Sequence, residues 1–396
     1  MAEASLRLSL DGTAVPVQPV GAGQYTLELG QALAQRSDVD LVVLTRTADA
    51  PRWRAMAPGA ELVADAPGPR PLRLAWEQLR LPGLLARSRV AVHHGPHYTM
   101  PERSPVPMVV TVHDMSFFET PAWHQRSKVL LFRRAIALAA RRAAAVVCPS
   151  QTTAAELRRW CRVEAAVFVA HHGVDLERFR PDEPDPRSDP YWLRVVDHRL
   201  GDGRPYLLFV GTLEPRKDVP SLVRAFDRVS RRHPDALLVV AGGDGWGAEA
   251  VGKAIEGSAV ADRIVRTGYV ADAAVPALLR SATASVYPAL YEGFGLPALE
   301  ALACGTPLIT TSGTAMEEVA QGAAVLVGPG DTGVLADAID EALAGTNPVE
   351  ADQRRSRGLE VAAAHTWEAS AEAHVAAYRH AVGPDPSTSP PPVASR

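Results

Sequence analysis

What most constrains this chain is a rhythm that runs, breaks and starts again. Short β-rich runs alternate with longer helical patterns: LRLSL at 6–10, a helix-like stretch over 24–36, DLVVLT at 40–45, MVVTVHD at 108–114, a helical pattern over 124–142, and AVVCPS at 145–150. That alternation is the βαβ signature of a parallel sheet covered by helices on both faces. It carries on to FVAHHGVD at 168–175 and stops. Residues 176–204 are rich in Asp, Arg and Pro and read as a linker, with YWLRVV at 191–196 as a short helix inside it. From PYLLFVG at 205–211 the rhythm restarts, with ALLVVAGG, RIVRTGYV, ASVYPAL, TPLITTS and AAVLVGPG as successive strands and strand ends. The expectation is an α/β protein of two Rossmann-like domains, 1–190 and 200–365. A helix over 366–382 is expected to pack back toward the first domain, and the Pro/Ser tail over 383–396 is too poor in apolar residues to bury a core. Length agrees, because 396 residues exceed what one core usually supports and an apolar content of 47% supplies two.

Charge and cysteine usage narrow the function. A net charge of -4 argues against a general nucleic-acid binder. The three cysteines, Cys148, Cys161 and Cys304, are odd in number and lack metal-ligand spacing, which fits a reducing cytoplasm. No signal-peptide pattern opens the sequence and no apolar run approaches the length of a membrane span, so any membrane contact is expected to be peripheral. One stretch invites such contact: Arg126, Arg133, Arg134, Arg141 and Arg142 recur at helical spacing in 124–144. A stripe of this kind fits an anionic lipid surface, and equally a solvated helix face.

In open α/β sheets ligands collect at the carboxyl ends of strands, and the distinctive residues here follow strands in that way. GTLEPRK at 211–217 turns at Gly211 and then presents Arg216, a planar fork of donors, beside Lys217, a mobile point charge. The pair suits a diphosphate and the charge that grows as it leaves; the plainer alternative is two solvated loop cations. YEGFGLPALE at 291–300 holds Glu292 before a turn eased by Gly293 and Gly295. Pro297 then opens a helix whose first turn carries Glu300. Two carboxylates beside a helix start rich in N–H groups suit a polar, anionic ligand, although a loop acid and a dipole-stabilised helix acid would look the same.

Six motifs in order, GAGQY (21–25), VHD (112–114), HHGVD (171–175), GTLEPRK, TGYV (267–270) and YEGFGLPALEALACGTP (291–307), resemble the family-4 glycosyltransferases. The resemblance covers roughly residues 15–345 and implies the GT-B fold, two Rossmann-like domains facing a central cleft. It implies that Arg216 and Lys217 hold the donor diphosphate, that Glu292 meets the transferred sugar, and that Glu300 accepts hydrogen bonds from the ribose hydroxyls. The backbone at Phe294, Gly295 and Leu296 would line sugar and phosphate, while Gly21 and Gly23 let the opposing backbone approach the phosphate. His113 would contact the donor sugar, with a packed, hydrogen-bonded histidine and Asp114 as a cap for the next segment as the alternative. Loops at GGDGWG (242–247) and TGYV would surround the base, with the backbone near Tyr269 and Val270 reading its edge. His93, His94 and His97 resemble the loop lining the acceptor side. GAGQY is no dinucleotide fingerprint, since Thr26 stands where a third glycine is needed. GTAMEEVAQG at 313–322 departs from the family pattern, Met316 and Glu317 standing where a Pro is more usual, which puts the local loop shape in question.

The only D-x-D, Asp38-Val39-Asp40, precedes a strand and reads as strand entry, so neither metal nor cofactor is expected beyond the nucleotide sugar itself. The implied reaction is retaining transfer of a hexose from a nucleotide diphosphate sugar to an acceptor hydroxyl, in glycan or glycolipid synthesis. VHD and GTLEPRK look most like bacterial mannosyltransferases, which makes GDP-mannose the first donor. A nucleotide-sugar 2-epimerase on the same fold, or a non-catalytic sugar-nucleotide-binding subunit, stays open.

Overall fold

A computed structural model describes residues 5–182, 192–194 and 196–383, so part of the expected linker and nearly all of the Pro/Ser tail lie outside the described residues. The chain divides into two units. One runs to His172 and takes in the stretch from Trp367 onward; the other is Gly173–Thr366. The first unit therefore ends well before residue 190. The Val174 amide donates to the His365 carbonyl at 2.9 Å, and Val174 and Phe179 are buried in the second unit's core. Within the linker, residues 192–194 are helical.

The first unit holds seven strands: β1 Leu6–Asp11, β2 Val39–Arg46, β3 Glu61–Ala66, β4 Val92–Gly95, β5 Met108–Thr111, β6 Ala145–Cys148 and β7 Ala166–Val169. They lie in the order β3-β2-β1-β4-β5-β6-β7, and every pairing is parallel. The second unit holds β8 Tyr206–Val210, β9 Leu237–Ala241, β10 Ile264–Gly268, β11 Ala284–Tyr287, β12 Leu308–Thr311 and β13 Ala324–Val327. Their order is β10-β9-β8-β11-β12-β13, again all parallel. Runs such as Leu237–Ala241 are buried throughout, as strands must be when helices cover both faces. Each sheet reverses its strand order once, between β1 and β4 and between β8 and β11.

The helix Trp367–Val382 belongs to the first unit, and a buried polar network ties it to the sheet. The network has one consistent proton arrangement. The Ser370 carbonyl can only accept, so His374 Nδ1–H donates to it at 2.7 Å, leaving Nε2 to accept from the Tyr25 hydroxyl at 2.7 Å. The Tyr25 oxygen then accepts from the Thr111 hydroxyl at 2.8 Å. Thr111 in turn accepts from His94 Nε2–H at 2.8 Å, and His94 Nδ1 accepts from the Tyr378 hydroxyl at 2.8 Å. Every member is satisfied and none is charged. Burial, with the neighbouring histidines adding to it, holds His94 well below its ordinary pKa, and burial pushes His374 down to about 4.

One expectation is corrected here. His93 and His94 do not line an open loop: they sit on β4 at 1% and 0% exposure, His93 Nδ1 bonding the Ser9 hydroxyl at 2.7 Å. The arginine stripe keeps Arg126, Arg134, Arg141 and Arg142 exposed. On the helix Arg126–Arg142, Arg133 turns inward to donate to the Phe117 carbonyl at 2.7 Å, and Arg134 pairs with Glu102 at 2.5 Å. Among the described residues no helix is long and apolar enough to cross a membrane. Asp38 and Asp40 are held in ion pairs, with Arg36 and Arg379 at 2.9 Å and with Arg7 at 2.5 Å.

Candidate active site

In the second sheet the loops flanking the β8/β11 reversal carry the predicted cations and the first glutamate. A doubly wound sheet opens a crevice at this point, because successive helices cross to opposite faces there. After β8 the chain turns at Gly211, φ 151°, where a Cβ would lie 2.8 Å from Lys217 Nζ. The loop is then braced from the side by GGDGWG. A Cβ on Gly242, φ 153°, would stand 2.0 Å from the Gly211 carbonyl oxygen. Only glycine lets two backbones meet this closely. The Leu213 amide donates to Gly243 O at 3.1 Å and the Gly247 amide to Leu213 O at 2.8 Å. The glycine loop thus supports the cation-bearing loop directly, a job its sequence did not suggest.

Residues Pro215–Lys217 form a single 3-10 turn. Arg216 donates from Nε to Glu214 at 2.7 Å and pairs through Nη1 with Glu292 at 2.5 Å. The other oxygen of Glu292 accepts from the Tyr287 hydroxyl at 2.8 Å. Lys217 is only 7% exposed and lies over the Tyr287 ring, 5.8 Å from its centroid, and Phe209 stacks with that ring at 5.5 Å. Burial, and Arg216 beside it, lower the Lys217 pKa against the opposing pull of Glu292 and Glu214. For Glu292, burial acts to raise the pKa, but Arg216 and Lys217 outweigh it and hold the carboxyl below its usual range. Two cations and two carboxylates, largely out of water, make a preorganised charged cluster. Partly out of water, these fixed charges act on an entering charged group more strongly than surface charges do.

The second carboxylate requires a correction. Helix Leu296–Ala303 begins directly after Gly295, so Glu300 lies in its second turn, not its first. No side chain caps this helix start. Gly295 is required twice over, by φ 97° and by Met316, whose Sδ would lie 2.3 Å from a Cβ there. Met316 is fully buried, and Glu317 accepts from the Gly313 amide at 2.7 Å, which fixes the loop that departs from the family pattern. Phe294 is buried at 3% exposure and Leu296 is half-buried. At the end of β10, Gly268 has φ 69°, Tyr269 is exposed with its hydroxyl 3.4 Å from Asp272, and Val270 is half-buried.

Gly211, Arg216, Lys217 and Glu292 are brought together within the second unit, while His113, Gly21 and Gly23 belong to the first. His113 Nε2–H donates to the Pro96 carbonyl at 2.7 Å, and burial keeps the ring neutral. Asp114 caps the following turn through the Ser116 amide at 2.9 Å. Gly21, φ 52°, precedes the helix Ala22–Ala34, whereas a Cβ at Gly23 would meet Pro16 at 2.7 Å, so Gly23 serves close packing of the preceding loop. Sequence reasoning missed Tyr287 and Glu214. Both sit inside stretches it singled out, Tyr287 at the carboxyl end of β11 and Glu214 two residues before Arg216.

Comparisons with known proteins point one way. The family described as "Glycosyltransferase Family 4" matches residues 19–178, and "Glycosyl transferases group 1" matches residues 194–357. The chain is 27% identical over 378 residues to the O-antigen chain mannosyltransferase B of Escherichia coli, covering 91% of this chain and 96% of that protein. It is 31% identical over 332 residues to the D-inositol 3-phosphate glycosyltransferase of Salinispora arenicola, covering 74% and 72%. Its fold matches Anabaena HepE, solved in complex with UDP-glucose, with a TM-score of 0.73 at 17% identity over 94% of this chain and 99% of that one.

Proposed function

The chain belongs to glycosyltransferase family 4, with the two-unit architecture of the GT-B fold, and on that premise we propose that it transfers a hexose with retention from a nucleotide diphosphate sugar to an acceptor hydroxyl in glycan or glycolipid synthesis. The observation that carries the proposal is the Arg216–Lys217–Glu292 cluster at the β8/β11 reversal. In this reading the donor diphosphate enters between Lys217 and Arg216 and competes with the carboxylates for the guanidinium. Charge on the leaving oxygen grows as the glycosidic bond stretches, and fixed cations answer it without reorganising. The acceptor attacks from the face the leaving group departs, and the diphosphate takes the acceptor proton. Glu292, still tied to Tyr287, lies beside the sugar and favours the positive charge of an oxocarbenium-like transition state. Glu300 accepts from the ribose hydroxyls, and the backbone at Tyr269 and Val270 meets the base.

GDP-mannose is the first donor, supported by the mannosyltransferase name of the Escherichia coli relative. With two cations for the diphosphate, the reaction needs no divalent metal, and the expected setting is the cytoplasm. The test is nucleotide release from GDP-mannose in excess EDTA, with and without acceptor. Release that depends on acceptor supports transfer. Conversion of the donor sugar without acceptor would replace it with epimerisation, and activity restored only by magnesium or manganese would overturn the metal-free scheme.

A further inference from the structure

Two carboxylates hold Arg216 at once, and they are not anchored alike. Its Nε donates to Glu214 at 2.7 Å, while its Nη1 meets Glu292 at 2.5 Å and the Tyr291 carbonyl at 3.3 Å. A guanidinium engages a phosphate bidentately through a whole two-donor edge. Here the edge with Nε carries Glu214 and the edge with Nη1 carries Glu292, so a diphosphate that takes either edge in full displaces a carboxylate. The main chain does not move aside for it. The Leu290 amide donates to the Arg216 carbonyl at 2.7 Å, the Lys217 amide donates to the Glu214 carbonyl at 3.0 Å, and a Cβ on Gly247 would stand 2.9 Å from the Glu214 carbonyl carbon. The exchange therefore falls on side chains.

Glu292 is the costlier of the two to displace. Its side chain is 12% exposed, and its other oxygen accepts from the Tyr287 hydroxyl at 2.8 Å, a buried donor that its departure would leave unpaired. Lys217, over the Tyr287 ring, attracts the same carboxylate from a second side. Glu214 lacks these ties. Its side chain is 31% exposed, and among the described residues its carboxylate hydrogen-bonds to Arg216 alone. It stands with extended backbone at the entry to the turn Pro215–Lys217, so rotation about its own side-chain bonds carries the carboxylate into water. Water solvates the freed group, and an ion pair with one partly exposed member adds little to the fold.

We propose that Glu214 is the counter-ion that Arg216 exchanges for the nucleotide diphosphate: it occupies the Nε edge of the empty site, gives way to the entering phosphate while Glu292 stays, and returns as the nucleoside diphosphate departs. Glu214 is thus a positioning residue that acts through Arg216 and sets the release of product. This assignment rests on the donor reading of the cluster. With both carboxylates present the four side chains carry no net charge; without Glu214 they carry one positive charge and the Nε edge stands uncontested. Donor and product share the same diphosphate, so cations that bind it without a competitor also hold the product, and such uniform tightening does nothing for the bond-breaking step.

Calorimetric titration of the full chain with GDP and with UDP, joined to stopped-flow displacement of the bound nucleotide, reads both halves of the exchange. Glu214→Gln keeps the size of the side chain and removes its charge. It binds whichever nucleotide the wild type takes about tenfold tighter and releases it more slowly by a similar factor, since affinity differences between close variants lie mainly in dissociation. Glu214→Ala shifts affinity in the same direction, while Glu214→Asp, which keeps the charge, stays within about threefold of the wild type. A side chain that merely braced the loop would weaken binding when cut back. Unchanged or weaker affinity in Glu214→Gln or Glu214→Ala, or equally tightened binding in Glu214→Asp, overturns the proposal. Failure of the donor reading looks different: the wild type would then bind neither nucleotide, or Arg216→Ala with Lys217→Ala would bind it as the wild type does.

Discussion

Two buried polar clusters, one in each unit, stand in opposite electrical states. In the first, Tyr25, His94, Thr111, His374 and Tyr378 form a chain of neutral hydrogen bonds with each donor matched to one acceptor. In the second, Arg216, Lys217, Glu214 and Glu292 bury charge against charge. A neutral, fully matched network gives a helix one docking position and offers an incoming ion nothing. A charged cluster is costly to desolvate and stabilises a fold weakly for its cost, so its natural use is to meet an ion. Burial of polar groups alone therefore does not mark a site. The charge state of the buried set does.

The contrast predicts that damage to the two clusters reads out differently. The largest effect falls on the charged one: Lys217→Ala lowers turnover by about 100-fold or more, as for loss of a preorganised electrostatic donor. Arg216→Lys is also harmful because the charge survives without the fork that engages Glu214 and Glu292. Normal steady-state rates in both variants would remove the distinction. Next come the two glutamates. Glu292→Gln weakens the hold on Arg216 and on the charge beside the sugar, so single-turnover rates fall by about tenfold or more with donor affinity less affected. Glu300→Gln instead costs about 1.5–3 kcal/mol of donor binding, measured by calorimetry. Reversed phenotypes would exchange the roles of the two carboxylates.

On the neutral side, Tyr378→Phe removes the donor to His94 and costs about 1–3 kcal/mol of stability, seen as faster hydrogen exchange across Trp367–Val382 with turnover nearly unchanged. Loss of turnover without loss of protection would contradict the division drawn here. Two pH effects are smaller and of opposite sign. His374 is depressed from 6.5 to about 4 by burial, so the folded first unit binds fewer protons than the unfolded chain between those values, and protection of the helix falls as pH drops from 6.5 toward 4. Glu77 is raised by burial from 4.5 to about 7, so its effect runs the other way, stability declining as pH rises through that window. Glu77→Gln abolishes the second slope in thermal melts taken across pH 5 to 8 and leaves the first.

The same contrast explains what the sequence could reveal. All six strands of the second sheet stand out as apolar runs, most of them followed by a glycine, and its cations follow a strand within one short motif. In the first unit β3 and β4 pass unnoticed. Glu61–Ala66 carries Glu61 and Asp65 on a sheet edge, and Val92–Gly95 places His93 and His94 in the middle of a strand. A histidine in a sequence suggests a site, and its matching acceptor lies far away: Tyr378 is 284 residues from His94. No local pattern announces such a pairing. Glu300 falls one residue beyond the expected first turn for a similar reason. Pro297 marks a helix start only to within a residue or two, and Gly295 together with Met316 sets where it begins.

The claim that the β8/β11 cluster is the donor diphosphate site is tested most directly by equilibrium binding. Calorimetric titration of the full chain with GDP-mannose and with UDP-glucose in excess EDTA, repeated on Arg216→Ala with Lys217→Ala, separates the cations from every later step of turnover. The account predicts that the wild type binds at least one of the two nucleotide sugars without metal and that the double variant binds it at least about 100-fold more weakly, the worth of two charge-assisted contacts. Equal affinity of wild type and double variant for the nucleotide sugar would contradict it.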